Sequence, residues 1–258
     1  MAWWVVARLT MADALRNPVT WAATGASVLL IGVALLFGMF TFDAEDRMRM
    51  LATAGVAATT LHGLFLSCFL ASSAIRSELE SRTALTLFAA PLGRGSWLVG
   101  KTAGVWLAVL ATMVVLALAH LAAMGLGWRT GFEFDRPERG FDAALTLPWG
   151  RTLAGHALAA LQVAVLATMA SVAALRLGLA AALAVVAAAF VTGHLAAQAG
   201  WTLVVVPALH LYQADDALQG LADPIGPVWF LGALVHAGLA GAGWILLGLA
   251  LFRDHDLP

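Results

Sequence analysis

The chain has 258 residues, 62% hydrophobic and 11% charged, with a mean hydropathy of +0.89 and a formal net charge of −1. Soluble domains carry about 25% charged residues, so this composition is that of an integral membrane protein. Near-neutral charge excludes an electrostatic affinity for nucleic acid, and the single cysteine, Cys68, excludes an intrachain disulfide.

Taken in chain order, the opening MAWWVVARLTMADALRNP has neither a leading basic region nor a cleavage site, so no cleavable signal peptide is expected. Segment 1–18 is too short and polar to cross a bilayer and reads as an interfacial helix, with Trp4, Met11 and Leu15 on one face and Asp13 and Arg16 opposite. A spanning helix needs about 20 apolar residues. Such stretches run over about 19–40, 50–75, 98–127, 152–175 and 227–252. Between the last two, Leu177 to Tyr212 holds no Asp, Glu, Lys or Arg. At about 1.5 Å per residue this run is too long for one crossing. Trp201 and Pro207 divide it into a fifth span of about 177–200 and an outer re-entrant segment, 201–226. The expected fold is all-α, with six transmembrane helices and both termini on one side.

With the termini cytoplasmic, the inner side carries eight basic residues: Arg8, Arg16, Arg76, Arg82, Arg94, Lys101, Arg176 and Arg253. The outer side carries six, which favours this orientation. Trp21, Trp97, Trp128, Trp149, Trp201 and Trp229 fall near span ends, where amphipathic rings prefer to sit. The outer loop of about 128–150 mixes four acids with three arginines and is expected to be solvated.

The loop 76–97 is the dense polar interruption. Ser77 and Glu80 have capping-box spacing, and Glu78 precedes Arg82 by four residues, the favourable order for a helical ion pair. Leu79, Thr83 and Leu87 recur every four residues, and Phe88 widens that face. Pro91, Gly93 and Gly95 then end the helix, and Trp97 marks the return to the membrane. The residues describe a short surface helix with a partly apolar face, serving either as a docking element or as a connector on the bilayer.

The run RSELESRTALTLFAAPLGRGSWLVGKTAGVWLAV resembles the cytoplasmic loop of type-2 ATP-binding-cassette (ABC) transporter permeases, through Glu78, Glu80, Arg82, Thr83, Leu87, Pro91, Arg94, Leu98, Gly100 and Lys101. FVTGHLAAQ, around Gly193 and His194, is similar to the fifth span of that family. VPALHLYQADDAL is similar to the segment before its last span, with Gln213 where Asn is commoner. The resemblance implies a permease subunit of an exporter in a bacterial inner membrane, paired with a second copy as a homodimer. It implies a coupling helix docked on a separate ABC ATPase through Glu78, Leu79, Glu80, Arg82, Thr83, Leu87 and Phe88. ATP and magnesium would then be bound by that partner, and accessory periplasmic or membrane subunits would fit the same assembly. Consistent with this, Gly100-Lys101-Thr102 lacks the preceding glycine of a phosphate-binding loop and leads into a span, so no cofactor site is expected here. Gly25, Gly32 and Gly38 are candidates for the contact between copies, because small residues let helices approach closely.

Each of spans two to six carries one histidine: His62, His120, His156, His194 and His236. With Met113, Met124, Met169 and Cys68 they raise a metal- or haem-handling alternative, although no pair has i, i+4 ligand spacing. Backbone or interfacial bonding is the other reading. His62, Gln162, His194, Gln198 and His236 are the candidate polar residues of a translocation path, the two glutamines also being natural partners for interhelical hydrogen bonds. Asp215, Asp216 and Asp223 form either a cation-attracting mouth or a solvated turn with a helix cap. Ser67, Ser72 and Ser73 lie near His62 in sequence, but no elbow motif frames an intramembrane nucleophile. A non-transporting membrane anchor is the remaining alternative.

Overall fold

A computed structural model describes residues 2–37, 44–81, 93–130, 132, 147–198, 207–219 and 225–253, with the side chains of Phe37, Ala197, Gln198 and Arg253 excepted. Among these residues every regular element is helical: α1 (Ala2–Arg16), α2 (Pro18–Phe37), α3 (Ala44–Ala71), α4 (Ser77–Glu80), α5 (Arg94–Thr130), α6 (Trp149–Ala174), α7 (Leu179–Gln198), α8 (Asp215–Leu218) and α9 (Pro227–Arg253). A π-helical turn, Ser72–Arg76, joins α3 to α4, and a 3₁₀ turn, Leu209–Tyr212, precedes α8. Six helices are long and apolar enough to cross a membrane, with α3, the π turn and α4 counting as one. The chain is an all-α integral membrane protein.

The bundle is centred on α3, α5 and α6, whose inward faces supply most of the core, including Leu66, Leu70, Val105, Leu116, Leu158 and Leu166. The α2, α7 and α9 helices leave large apolar surfaces outward, such as Leu29, Leu30, Val191, Leu231 and Leu239, as lipid-facing or partner-facing helices do. Gly25 and Gly32 on α2 open onto empty space within this chain. Gly38 lies outside the described residues.

The α1 helix packs on the bundle through its small residues. Its buried positions are Ala7, Thr10 and Ala14, while Trp4 is 45% exposed and Met11 and Leu15 are only half-buried. The reason is a close backbone approach to α5: a Cβ on Gly100 would lie 2.6 Å from the Trp3 carbonyl, and one on Gly104 2.6 Å from that of Ala7. Small residues on both helices bring the backbones together, which a search for large apolar residues does not find.

Contacts define two ends of the bundle. At the terminal end, α1, the start of α5 and the end of α9 meet, and the Arg94 guanidinium donates to the Phe252 carbonyl at 3.1 Å. At the far end lie the start of α3, the end of α5, the start of α6, and the segment 207–218. There Phe132 adopts φ 61° and buries its ring beside Gly127, while Arg47 donates to its carbonyl at 3.3 Å.

Candidate functional site

The terminal end holds the corner that the polar loop leaves and rejoins. The α4 turn is not a separately capped helix. Arg76 and Ser77 keep right-handed helical angles, and the Ser77 amide donates to Ser72 O across the π turn. The Ser77 hydroxyl turns back to the carbonyl of Ser73, so the expected capping box does not form. A serine inside a continuous helix has no free N-terminal amides to cap, and bonding the preceding turn is its alternative.

Glu78 is turned inward. One carboxylate oxygen accepts from Lys101 Nζ at 2.5 Å, and the other accepts from Trp97 Nε1 at 3.3 Å. Lys101, the one lysine of the chain, is 7% exposed, and among the described residues Glu78 is its ion-pair partner. Trp97 is fully buried and stacked on Phe252, with ring centroids 5.6 Å apart. It is a core residue, not the interfacial anchor its place in the sequence suggests. Glu80 is exposed and pairs with Arg76 at 2.5 Å, and Leu79 packs partly against the core. Arg82, Thr83, Leu87 and Phe88 lie outside the described residues, as does Asp223.

The span histidines form hydrogen-bonded connections between helices. His62 bridges α2, α3 and α5, with Nδ1 3.2 Å from Ser27 Oγ and Nε2 3.0 Å from Thr112 Oγ1. Ser67, Ser72 and Ser73 are not its partners, and the Ser27–His62 contact has a threonine where a nucleophile–base pair needs an orienting carboxylate. His120 joins α3, α5 and α6: Nε2 lies 2.9 Å from the Leu51 carbonyl and Nδ1 2.9 Å from His156 Nε2. A carbonyl only accepts, so in the neutral pair His120 carries its proton on Nε2 and takes one from His156 on Nδ1. Gly55 makes this possible, since a Cβ there would lie 2.3 Å from the His120 ring. No sequence signal marks the His120–His156 pair, because its members are 36 positions apart and on different helices.

Gln162 and His194 meet at 3.2 Å across α6 and α7, and His194 Nδ1 donates to the Phe190 carbonyl at 2.7 Å. His236 faces the 3₁₀ turn instead. Its Nε2 accepts from the Ala208 amide at 3.2 Å, and its Nδ1 lies 2.8 Å from the Tyr212 hydroxyl. Trp229 Nε1 donates to the Leu211 carbonyl at 2.9 Å. Non-helical backbone at membrane depth must find partners within the protein, and α9 supplies them through His236 and Trp229. Gly193 admits the segment from the other side, its missing Cβ leaving room for Leu209 and the Pro207 carbonyl. Burial pushes the Tyr212 hydroxyl above its ordinary range. Burial also raises the Asp215 carboxyl, with Asp216 adding to the rise and His194 opposing it. Of the candidate path residues, His62 contacts Ser27 and Thr112, Gln162 contacts His194, and His236 contacts the segment, while the side chain of Gln198 lies outside the described residues. Among the described residues, no three of His, Cys, Asp or Glu converge as metal ligands.

No protein-family model matches the chain. Over 136 residues it is 35% identical to the "Probable ABC transporter permease protein NosY" of Pseudomonas aeruginosa, covering 48% of this chain and 46% of that protein. The chain thus matches about half the length of this curated relative.

Proposed function

We propose that the chain is the membrane-spanning permease subunit of an ABC exporter, working with a separate ATPase subunit that binds ATP and magnesium. The likeness to a described permease carries this reading, and the corner geometry supports a mechanism for it. In this reading two copies pair, both termini face the cytoplasm of a bacterial inner membrane, and accessory subunits can join them. Loop 76–97 then acts as the coupling element. Because α3, the π turn and α4 are continuous, a push on the loop is delivered into α3 rather than absorbed in a hinge. The Glu78–Lys101 pair ties the same loop to α5, so both flanking spans receive the movement. Nucleotide binding would bias two states of the permease of similar free energy.

The inward turn of Glu78 divides the proposed docking set. Glu80, Arg82, Thr83, Leu87 and Phe88 are the contacts to the ATPase, with Leu79 packing beneath them and Glu78 positioning the corner. His62, Gln162, His194, Gln198 and His236 remain the polar residues nearest a route through the bundle. In membranes holding the permease and its cognate ATPase, Glu80→Ala with Arg82→Ala is expected to weaken co-purification at least tenfold and to uncouple hydrolysis from transport. Unchanged association and coupled rates would overturn the docking assignment.

A further inference from the structure

The segment 207–218 closes the far end of the bundle between α6, α7 and α9, and His236 is its principal side-chain tie. The donor and acceptor roles at this histidine are fixed by its partners. The Ala208 amide can only donate, so His236 Nε2 must be a bare acceptor, and the proton of the neutral ring then sits on Nδ1 and points at Tyr212 Oη. The tyrosine hydroxyl passes its own proton toward the Ala233 carbonyl at 3.4 Å. This makes a directed chain from Ala208 N–H through the imidazole and the phenol to a helix carbonyl.

The other span histidines differ in this respect. His194 faces a glutamine amide, which can turn its oxygen to a charged ring. His120 can hold a second proton by reversing its bond to His156. At His236 the opposing group is a backbone N–H, which has no acceptor form. A proton on Nε2 would set two N–H groups against each other, and the contact could not persist.

We infer that His236 is a proton-operated clamp: neutral, it holds segment 207–218 on α9, and protonated, it releases that segment and opens the far end. His236 lies about 14 Å along α9 from Pro227 and is half-buried. The inference does not depend on the chain being a permease.

The surrounding titratable groups do not substitute for it. Tyr212 remains a protonated donor, because burial raises it. The raised Asp215 works in the opposite direction: taking up a proton relieves the penalty on its buried charge, so acid strengthens the seating of α8. Asp216 stands beside it at the start of α8. From α7, His194 is turned to Gln162 and Phe190; from α6, His156 is turned to His120. On α5, Arg94 and Lys101 sit at the terminal end. His210, on the 3₁₀ turn, is the other imidazole close enough to act on His236.

The test is hydrogen–deuterium exchange of the whole chain in nanodiscs from pH 8 to pH 5, corrected for the intrinsic pH dependence of exchange. Peptides from the core of α6 serve as the reference against global unfolding. In the unaltered protein, amides of 208–213 are expected to lose at least tenfold protection between pH 8 and pH 5, while α6 stays protected. His236→Gln keeps an oxygen for the Ala208 amide and an N–H for Tyr212 but cannot titrate, so protection is expected to persist at both pH values. His210→Gln is expected to leave the transition in place. Constant protection in the unaltered protein, an undiminished transition in His236→Gln, or its loss in His210→Gln would each overturn the assignment.

Discussion

The two ends of the bundle are held by different chemistry. At the terminal end the ties involve permanent charges: Lys101 to Glu78, Arg94 to the Phe252 carbonyl, and Arg176 to the Leu251 carbonyl at 2.7 Å. At the far end they run mainly through imidazoles: His120 with His156, His194 with Gln162, and His236 with Tyr212. Charge-assisted bonds are stronger and tolerate changes of angle, because a guanidinium or ammonium offers several donors. A neutral imidazole has one donor and one acceptor, so each of its contacts has a fixed direction. The terminal end is suited to transmitting force through ties that bend, and the far end to holding one arrangement until a proton or a displacement disturbs it.

The sharpest way to break the far end is at Gly55. Gly55→Ala places a methyl group 2.3 Å from the His120 ring, which must move and abandon both Leu51 and His156. Overpacking together with unmet buried polar groups is expected to cost about 3 kcal/mol or more, read as a lowered unfolding temperature of the solubilised protein. The matched change Gly25→Ala meets nothing within 4 Å and is expected to shift stability by no more than about 0.5 kcal/mol. Equal effects would mean that the His120 contact does not brace the far end.

Next in size is an asymmetry at the terminal end. Lys101 has 9% of its side chain exposed and Glu78 has 27%. Glu78→Gln leaves the better-buried charge without a counterion and is expected to cost about 3 kcal/mol. Lys101→Met leaves the more exposed carboxylate, which water can reach, and is expected to cost about 1 kcal/mol. Denaturation of both single variants and the double variant checks this, with the double variant expected to lie closer to Lys101→Met. The reverse order would place the burial of charge at Glu78 instead.

The smallest effect is expected at Asp215. A carboxyl raised by burial contributes stability below the ordinary carboxylate range that is lost as pH rises through its raised value. At neutral pH, Asp215→Asn should therefore seat α8 slightly more firmly, seen as slower amide exchange over 214–218. At pH 3 the two proteins should be indistinguishable. Faster exchange in the variant at neutral pH would show that the ionised carboxylate is wanted there.

The spans were legible because apolar length is a one-dimensional property: the six stretches match the six long apolar helices to within a few residues at most ends. Partnership was not legible. Glu78 has the spacing to pair with Arg82, which lies outside the described residues, and the ion pair the structure shows is instead with Lys101, 23 positions away on α5. Ser77 has the spacing of a cap, yet it lies inside a continuous helix. Trp97 reads as an interfacial ring and is instead core, because the end of α9 brings Phe252 over it.

By itself, the sequence determined that this chain is helical, crosses a membrane and carries one dense polar loop, since hydrocarbon admits only backbone satisfied within its own segment. It also determined which polar residues would have to find partners inside the bundle. Tertiary structure alone decided who those partners are. Glycines at 55, 100, 104 and 193 set how closely helices and the 207–218 segment approach. That closeness aligned His120 with His156, and the docking of the segment on α9 set His236 against a backbone amide, fixing where each proton must sit.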